Sequence, residues 1–172
     1  GLQEYKDMLA GRNKGLELPS MPLLNGIIRG LKKGKLIYVS GPAKSGKSTV
    51  LANILHEVAV KQRRSVLMFS GEMDANECMM RQLCIAKDIN STAFLDENGG
   101  LTQQDGLNIN ATAEYMSKLD KKFKVFDRLH DVEQLSTIIR GQKLLNPDLE
   151  FVGIDYVQLI PASRGYEAKA KH

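Results

Sequence analysis

Residues 35–49 read KLIYVSGPAKSGKST, and they are the most informative segment of the chain about its fold. Its first part, residues 35–40, contains the apolar run of residues 36–39 and is predicted to be a strand buried on both faces. The next eight residues, 41–48, fit the pattern G-x-x-x-x-G-K-S/T in full, and an amphipathic helix is predicted over residues 47–62. A strand, this loop and a helix in succession form the context in which the pattern binds phosphate. The sequence therefore predicts a nucleotide site.

The residue types of this loop suit ATP bound together with Mg²⁺. Gly41 and Gly46 let the backbone approach phosphate closely, and the helix that begins near Lys47 adds the positive end of its dipole. We expect Lys47 to reach the β and γ oxygens and the Ser48 hydroxyl to coordinate Mg²⁺. The alternative is a glycine-rich turn with a chance lysine. The predicted nucleotide-binding residues are Gly41, Pro42, Ala43, Lys44, Ser45, Gly46, Lys47, Ser48 and Thr49.

The rest of the chain alternates between helices and strands. Further strands are predicted at residues 65–70, 123–126 and 150–155, and helices at residues 74–87, from a Gly/Asn-rich loop near residue 100 to about Leu119, and at residues 131–144. Asp74 with Glu77 and Asp131 with Gln134 form capping-box patterns at two helix starts. The alternation predicts an α/β fold with a mainly parallel sheet and helices on both faces. Four predicted strands are few for such a sheet, so we expect the chain to end inside the domain.

Two carboxylates lie at, or just past, the ends of predicted strands. Asp155 ends an apolar strand, which is the Walker B form, where it would hold Mg²⁺ through water. Glu72 lies just past the carboxyl end of another strand, and the carboxyl ends of parallel strands face one crevice, so both acids can converge with the phosphate loop. Because Tyr156 rather than a glutamate follows Asp155, Glu72 is the best candidate for the base that polarises the attacking water. Alternatively, Glu72 is a helix N-terminal carboxylate that interacts with the helix dipole.

Composition and charge set broad limits on function. The chain has 172 residues, of which 42% are apolar and 26% are charged. No apolar run approaches the roughly 20 residues that span a membrane, and the first residues lack the pattern of a signal peptide, so we expect no membrane partner. The formal charge of +4 permits nucleic-acid binding without demanding it, and the short basic clusters before predicted strands also fit solvated sheet edges. Cys78 and Cys84 lack metal-ligand spacing and are predicted to be buried free thiols.

Several segments together resemble the RecA-like superfamily, and specifically the ATPase domain of DnaB-type replicative DNA helicases. SGEM at residues 70–73 resembles the family's SLEM motif, in which the Glu is the catalytic base, with Gly71 in place of Leu. IDYVQL at residues 154–159 is similar to the family's IDYLQL Walker B segment and is the most family-specific part. Residues 23–36 resemble the approach to the family's first strand. The resemblance covers roughly residues 16–162, and it adds Arg81 and Gln158 as further candidate site residues.

The resemblance implies an ATP-dependent DNA helicase that couples hydrolysis to translocation along single-stranded DNA and to duplex unwinding. It also implies a hexameric ring of the full-length protein, primase or a helicase loader as partners, and the cytoplasm of a bacterium or a phage-infected cell. We expect residues 1–15 to be a linker-helix region, with a helix at residues 2–11. An alternative for that helix is packing on its own domain. Residues 16–172 are expected to be a RecA-like ATPase domain that is incomplete at its carboxyl end and weakly active or inactive alone.

The sequence leaves other functions open. SGE at residues 70–72 also resembles the RadA/Sms repair ATPases, and a RadA- or recombinase-like ATPase predicts DNA-stimulated hydrolysis with little unwinding. A non-motor nucleotide-binding module predicts ATP binding with a turnover that is indifferent to DNA. A small-molecule kinase has less support, because the sequence shows no lid with clustered arginines that could clamp a second phosphate substrate.

Overall fold

The computed structural model describes residues 6, 15–88, 109–128 and 130–155. The chain divides into two units, Gly1–Lys47 and Ser48–His172. The first unit contains the phosphate-loop pattern as far as Lys47, and the second contains every described strand. The boundary expected between residues 15 and 16 stays a prediction.

Helices and strands alternate along the described chain, as the sequence predicts. Within the described residues, the helices and strands predicted after residue 46 are present, with small differences at their ends, and both predicted capping boxes are formed. The part of the helix that is predicted before Ile109 lies outside the described residues. Within the described residues, no helix combines the length and the apolar character that a membrane crossing needs. In chain order the elements are α1 (Pro22–Ile28), α2 (Lys47–His56), a π-helical turn (Glu57–Lys61), β1 (Ser65–Ser70), α3 (Ala75–Lys87), α4 (Ile109–Asp120), β2 (Phe123–Phe126), α5 (Val132–Leu145) and β3 (Leu149–Asp155).

The three strands form a parallel sheet in the order β2-β1-β3. All six residues of the central strand β1 are buried, as its apolar sequence predicts for a strand covered on both faces. Phe69 of β1 lies beside Phe126 and Ile154 in the register, so these three side chains share one face. On that face they pack in an apolar cluster with Leu135 and Ile138 of α5.

The opposite face of the sheet is covered at β3 by α2. Gly153 pairs with Met68 on this face, and a Cβ atom added to Gly153 would lie 2.9 Å from Cδ1 of Leu51 in α2. The absence of a side chain at residue 153 therefore lets α2 lie directly against β3. Helices cover both faces, and the predicted α/β class is confirmed.

The prediction of a strand at residues 35–40 is wrong. These residues form no strand and have no strand partner among the described residues. Leu36 and Tyr38 are 74% and 70% exposed. An apolar segment becomes a strand only where a neighbouring strand supplies hydrogen bonds and side chains to pack against. The described strands pair only with one another, so the apolar sequence alone leaves residues 35–40 irregular.

Within the first unit, an isolated antiparallel bridge pairs Leu16 with Leu31. Leu16 and Leu31 exchange two backbone hydrogen bonds of 2.9 and 2.8 Å, and the buried Leu18 donates its N–H to Oδ1 of Asn25. Asn25 belongs to α1, which is not among the helices that the sequence predicts. The helix predicted at residues 2–11 lies outside the described residues, apart from Lys6, which is helical.

The cysteines and the basic clusters have structural roles in the second unit. Cys78 and Cys84 are free and buried, as predicted, and burial raises the pKa of each thiol. Arg64 pairs with Glu150 at 3.0 Å, and Lys122 pairs with Asp148. Arg64 and Lys122 each precede a strand, and their acidic partners lie at the start of β3. The two basic side chains therefore form ion pairs at the ends of the strands.

We expect Gly153→Val to lower the free energy of unfolding by about 1–3 kcal/mol, because the added methyl groups must displace Leu51. Gly141→Ala is the matched control, since a Cβ atom at Gly141 in α5 would meet nothing within 4 Å. We expect this control to raise the free energy of unfolding by about 0.5–1 kcal/mol. Urea unfolding of both variants measures the difference. A Gly153→Val variant as stable as the wild type would contradict the packing of α2 on β3.

Candidate functional site

The phosphate-loop pattern forms a tight turn immediately before α2. Ser45 donates its N–H to O of Pro42 at 3.3 Å. Gly46 has a φ of 88°, which glycine adopts freely, and Lys44 has a φ of 61°, which costs a residue with a side chain about 1–2 kcal/mol. A Cβ atom at Gly41 would lie 2.7 Å from Oγ of Ser45. The shape of the turn therefore explains Gly46, whereas the close contact at Gly41 is with the outer end of the Ser45 side chain.

Lys47 folds back over the loop that precedes it. Its Nζ donates to O of Gly41 at 3.1 Å and to O of Pro42 at 2.7 Å. Lys47 is also the first residue of α2, where the unpaired N–H groups of a helix carry partial positive charge. The ammonium group and the helix N-terminus thus give this loop the two features that attract phosphate oxygens.

A backbone hydrogen bond joins the two strand ends that carry the predicted acids. The ladder between β1 and β3 ends with Ser70 beside Asp155, and the next residue, Gly71, donates its N–H to O of Asp155 at 2.7 Å. Glu72 follows directly. The structure therefore brings Glu72 and Asp155 together at the carboxyl end of the sheet.

Asp155 is a buried carboxylate with an unsatisfied oxygen. The residue is 6% exposed, and its Oδ2 is enclosed without a hydrogen-bond partner among the described residues. Such an oxygen costs free energy unless a further group satisfies it. A divalent cation or a water molecule bound to it would satisfy this oxygen. The hydroxyl of Ser48 and the carboxylate of Asp155 are the oxygen ligands that suit Mg²⁺, so these residues fit the predicted cation.

Glu72 lies in an exposed turn, and its side chain has no hydrogen bond or ion pair within the described part of the chain. The helix that follows, α3, does not use Glu72 as a cap. Asp74 accepts from the N–H of Glu77 at 2.9 Å and Glu77 accepts from the N–H of Asp74 at 3.2 Å. Asp127 accepts from the N–H of Ala75 at 3.2 Å. Other carboxylates fill the capping positions, so the Glu72 carboxylate is available to a water molecule.

A buried glutamine ties α2 to α3. Gln82 is 1% exposed, its Nε2 donates to O of Ala52 at 3.1 Å, and its Oε1 lies 3.3 Å from Nδ1 of His56. Because Oε1 can only accept, the neutral imidazole carries its proton on Nδ1 in this contact. The hydroxyl of Tyr115 in α4 donates to O of Gln82 at 3.3 Å. Three helices are thus joined at one residue.

Of the two further candidate site residues, Arg81 lies within the described residues and Gln158 does not. Arg81 is half-buried on α3, and its charge acts on the neighbouring thiols of Cys78 and Cys84 by lowering their pKa against the effect of burial. Gln158 lies outside the described residues.

Sequence reasoning misses Gln82, His56 and Asp127. A polar residue within the apolar pattern of a helix is the signal that could have identified Gln82. Asp127 directly follows β2, so it carries the same signal that identifies Asp155, a carboxylate at the end of a strand.

The chain is similar in sequence to replicative helicases. The model of the family described as DnaB-like helicase C terminal domain matches residues 19–172. The replicative DNA helicase DnaB of Buchnera aphidicola subsp. Baizongia pistaciae is 30% identical over 139 residues, which are 80% of this chain and 29% of that relative. The chain thus spans less than a third of the length of this curated relative.

Two solved structures share the fold. One, described as an ATPase domain, has a TM-score of 0.76 and 20% identity, with 95% of this chain and 58% of that chain covered. A DnaB-like replicative helicase, described with its interactions with primase, has a TM-score of 0.73 and 20% identity, with 95% of this chain and 39% of that chain covered. These likenesses confirm the predicted RecA-like fold.

The buried His56 makes stability depend on pH. Burial lowers its pKa below the ordinary value of 6.5, and Lys61 adds to the effect, whereas the hydrogen bond to Gln82 and the charge of Glu57 oppose it. The unfolded chain therefore binds this proton more readily than the folded chain. The contribution of the neutral His56 to the free energy of unfolding is therefore fully present well above pH 6.5 and is lost as the pH falls through this value.

We expect the free energy of unfolding to fall between about pH 7 and about pH 5.5, by at most about 1.4 kcal/mol for each pH unit. His56→Gln should flatten this dependence, since glutamine does not titrate. Gln82→Leu should keep the dependence or steepen it, because it removes the bond that raises the pKa of His56. Urea unfolding across this range measures all three proteins. Equal slopes for the wild type and His56→Gln would contradict the assignment.

Proposed function

Because this chain belongs to the DnaB-like helicase C-terminal domain family, we propose that it is the ATP-hydrolysing part of a replicative DNA helicase. The family resemblance predicted from residues 70–73 and 154–159 is confirmed at the level of the family. The observation that supports the proposal is the bond between Gly71 N and Asp155 O, which joins the end of the strand that carries the buried Asp155 to the residue before the exposed Glu72. A metal-supporting acid and a water-activating base are the pair that nucleotide hydrolysis requires.

In this proposal, residues 41–49 bind the triphosphate of ATP. The Nζ of Lys47 exchanges the carbonyl oxygens of Gly41 and Pro42 for the β and γ oxygens of the nucleotide, and the N–H groups at the start of α2 donate to the phosphates. Ser48 and Asp155 would hold Mg²⁺, which when bound neutralises charge on the phosphates. The orphaned Oδ2 of Asp155 supports this role.

Glu72 is proposed as the base. Its carboxylate accepts a hydrogen bond from the attacking water and takes up a proton as the water oxygen bonds to the γ-phosphorus. The bond between the γ-phosphorus and the oxygen that bridges it to the β-phosphate breaks, so that ADP and phosphate leave. The Glu72 side chain is exposed and has no partner among the described residues, and other carboxylates fill the capping positions of α3. Both observations favour this role over the alternative of a helix-dipole partner. Arg81 and Gln158 stay predicted contributors.

For the whole protein, we propose translocation on single-stranded DNA and duplex unwinding, driven by this hydrolysis. We also propose a ring of identical subunits, hexameric in the full-length protein, in the cytoplasm of a bacterium or a phage-infected cell. A structural neighbour described with its interactions with primase supports primase as a partner, and a helicase loader is the other partner that we propose.

The test is the ATPase rate of the full-length protein, measured with and without single-stranded DNA. We expect DNA to stimulate hydrolysis and Lys47→Ala to abolish ATP binding. Glu72→Gln should keep ATP binding while turnover falls by about a hundredfold or more, since it loses the base. Glu133→Gln, an exposed glutamate on α5, is the matched control and should behave like the wild type.

Each contrary result identifies what fails. A rate indifferent to DNA would exclude the motor and favour a nucleotide-binding module. Stimulation by DNA without unwinding would favour a RadA- or recombinase-like ATPase. A fully active Glu72→Gln variant would reject Glu72 as the base and leave the nucleotide site standing.

A further inference from the structure

The turn that carries Glu72 is anchored to the strand on one side of β1. Gly71, which precedes Glu72, donates its N–H to O of Asp155 at the end of β3. Met73, which follows Glu72, donates its N–H to Oγ of Ser70 at 3.0 Å. These bonds hold the turn where it leaves the sheet, and a separate contact holds the start of α3.

The start of α3 is anchored to the strand on the other side. Oδ2 of Asp127 accepts from the N–H of Ala75 at 3.2 Å, across 52 residues of sequence. The capping box of Asp74 and Glu77 lies within the helix itself, so it shapes the first turn without attaching it to the sheet. Among the described hydrogen bonds to residues 74–77, the one to Asp127 is the bond that reaches a strand end.

Asp127 is well placed for this attachment. It directly follows β2, whose last residue, Phe126, lies beside Phe69 of β1 and stacks on it with ring centroids 5.3 Å apart. Its position is therefore set by the sheet and by an aromatic contact. A carboxylate that accepts from an N–H group at a helix N-terminus forms a charge-assisted bond, which is stronger than a neutral one.

We infer that Asp127 is a positioning residue for Glu72. The segment from Gly71 to Ala75 bridges the end of β1, with one end held by β3 and the other by β2, and Glu72 lies between the two anchors. A base acts only within hydrogen-bond reach of the water that it polarises, so an anchor that keeps this segment in place controls turnover. This inference rests on the proposed function.

The loss of the second anchor should affect catalysis rather than ATP binding. Freeing the N–H of Ala75 lets the first turn of α3 shift, and the Glu72 backbone shifts with it. Residues 41–49, which are proposed to bind the phosphates, have no described hydrogen bond to Asp127. The expected signature is a lower kcat with an unchanged KM for ATP.

The experiment compares Asp127→Ala and Asp127→Asn in the full-length protein. We expect kcat of the DNA-stimulated ATPase to fall about tenfold in Asp127→Ala, with KM for ATP changed by less than about twofold. Asp127→Asn should lie between this variant and the wild type, because its amide oxygen still accepts a hydrogen bond. Hydrogen exchange of the amides in residues 71–77 is measured on the same preparations and should accelerate in Asp127→Ala.

Asp131→Ala is the matched control. Asp131 accepts from the N–H of Gln134 at 2.8 Å in an equivalent capping box, but on α5, which carries none of the proposed site residues. We expect this variant to lose stability while it keeps the wild-type kcat. An equal fall in kcat in Asp131→Ala would overturn the positioning role, because general destabilisation would then explain both results.

Two further outcomes separate this inference from the proposed function. If the amides of residues 71–77 exchange at the wild-type rate in Asp127→Ala, Asp127 does not anchor the start of α3. If these amides exchange faster while kcat is unchanged, the anchor exists but does not position Glu72 for catalysis. If the wild type does not hydrolyse ATP, or if Glu72→Gln is fully active, the proposed role of Glu72 fails and the positioning role fails with it. The exchange data would still show whether Asp127 holds α3, so the two failures are distinguishable.

Discussion

The candidate site depends on the parallel pairing of β1 with β3. β1 is buried along its whole length, so its backbone groups must be satisfied within the sheet. The pairing continues to Ser70 beside Asp155 and ends with the bond from Gly71 to the Asp155 carbonyl. A shift of the register by one residue would turn every side chain of a strand to the other face and would separate Glu72 from Asp155. The geometry of the two acids is thus a consequence of sheet formation.

The helices on the two faces of the sheet are held to it, and to one another, by specific contacts. On one face, apolar packing of α5 against Phe69 and its neighbours holds the strands together. On the other face, α2 lies close to the backbone of Gly153, and the buried Gln82 links α2 to α3. A buried amide is stabilising only when its hydrogen bonds are made, and both ends of the Gln82 side chain have partners. The helix after the phosphate loop and the helix after Glu72 are therefore coupled by specific contacts.

Three carboxylates at the same end of the sheet differ in their surroundings, and those surroundings suggest their roles. Asp155 is buried with an unsatisfied oxygen, which suits a cation. Glu72 is exposed and has no described partner, which suits exchange of a proton with water. Asp127 is exposed but hydrogen-bonded to a helix N-terminus, which suits a structural anchor. All three directly follow strands or nearly so, and the contacts distinguish them.

Features that depend on residues close together in the chain could be predicted from the sequence. These are the helical periodicity, the two capping boxes, the buried run of β1, the phosphate-loop pattern and the family motifs, because each is local chemistry within a few residues. Only the tertiary structure decided the strand order, the irregular backbone of residues 35–40, and the roles of Gln82 and Asp127. A strand exists only beside another strand, and a polar side chain acquires its role from partners such as Ala75, which lies 52 residues away from Asp127. Such partners are chosen by packing in three dimensions, which no local pattern records.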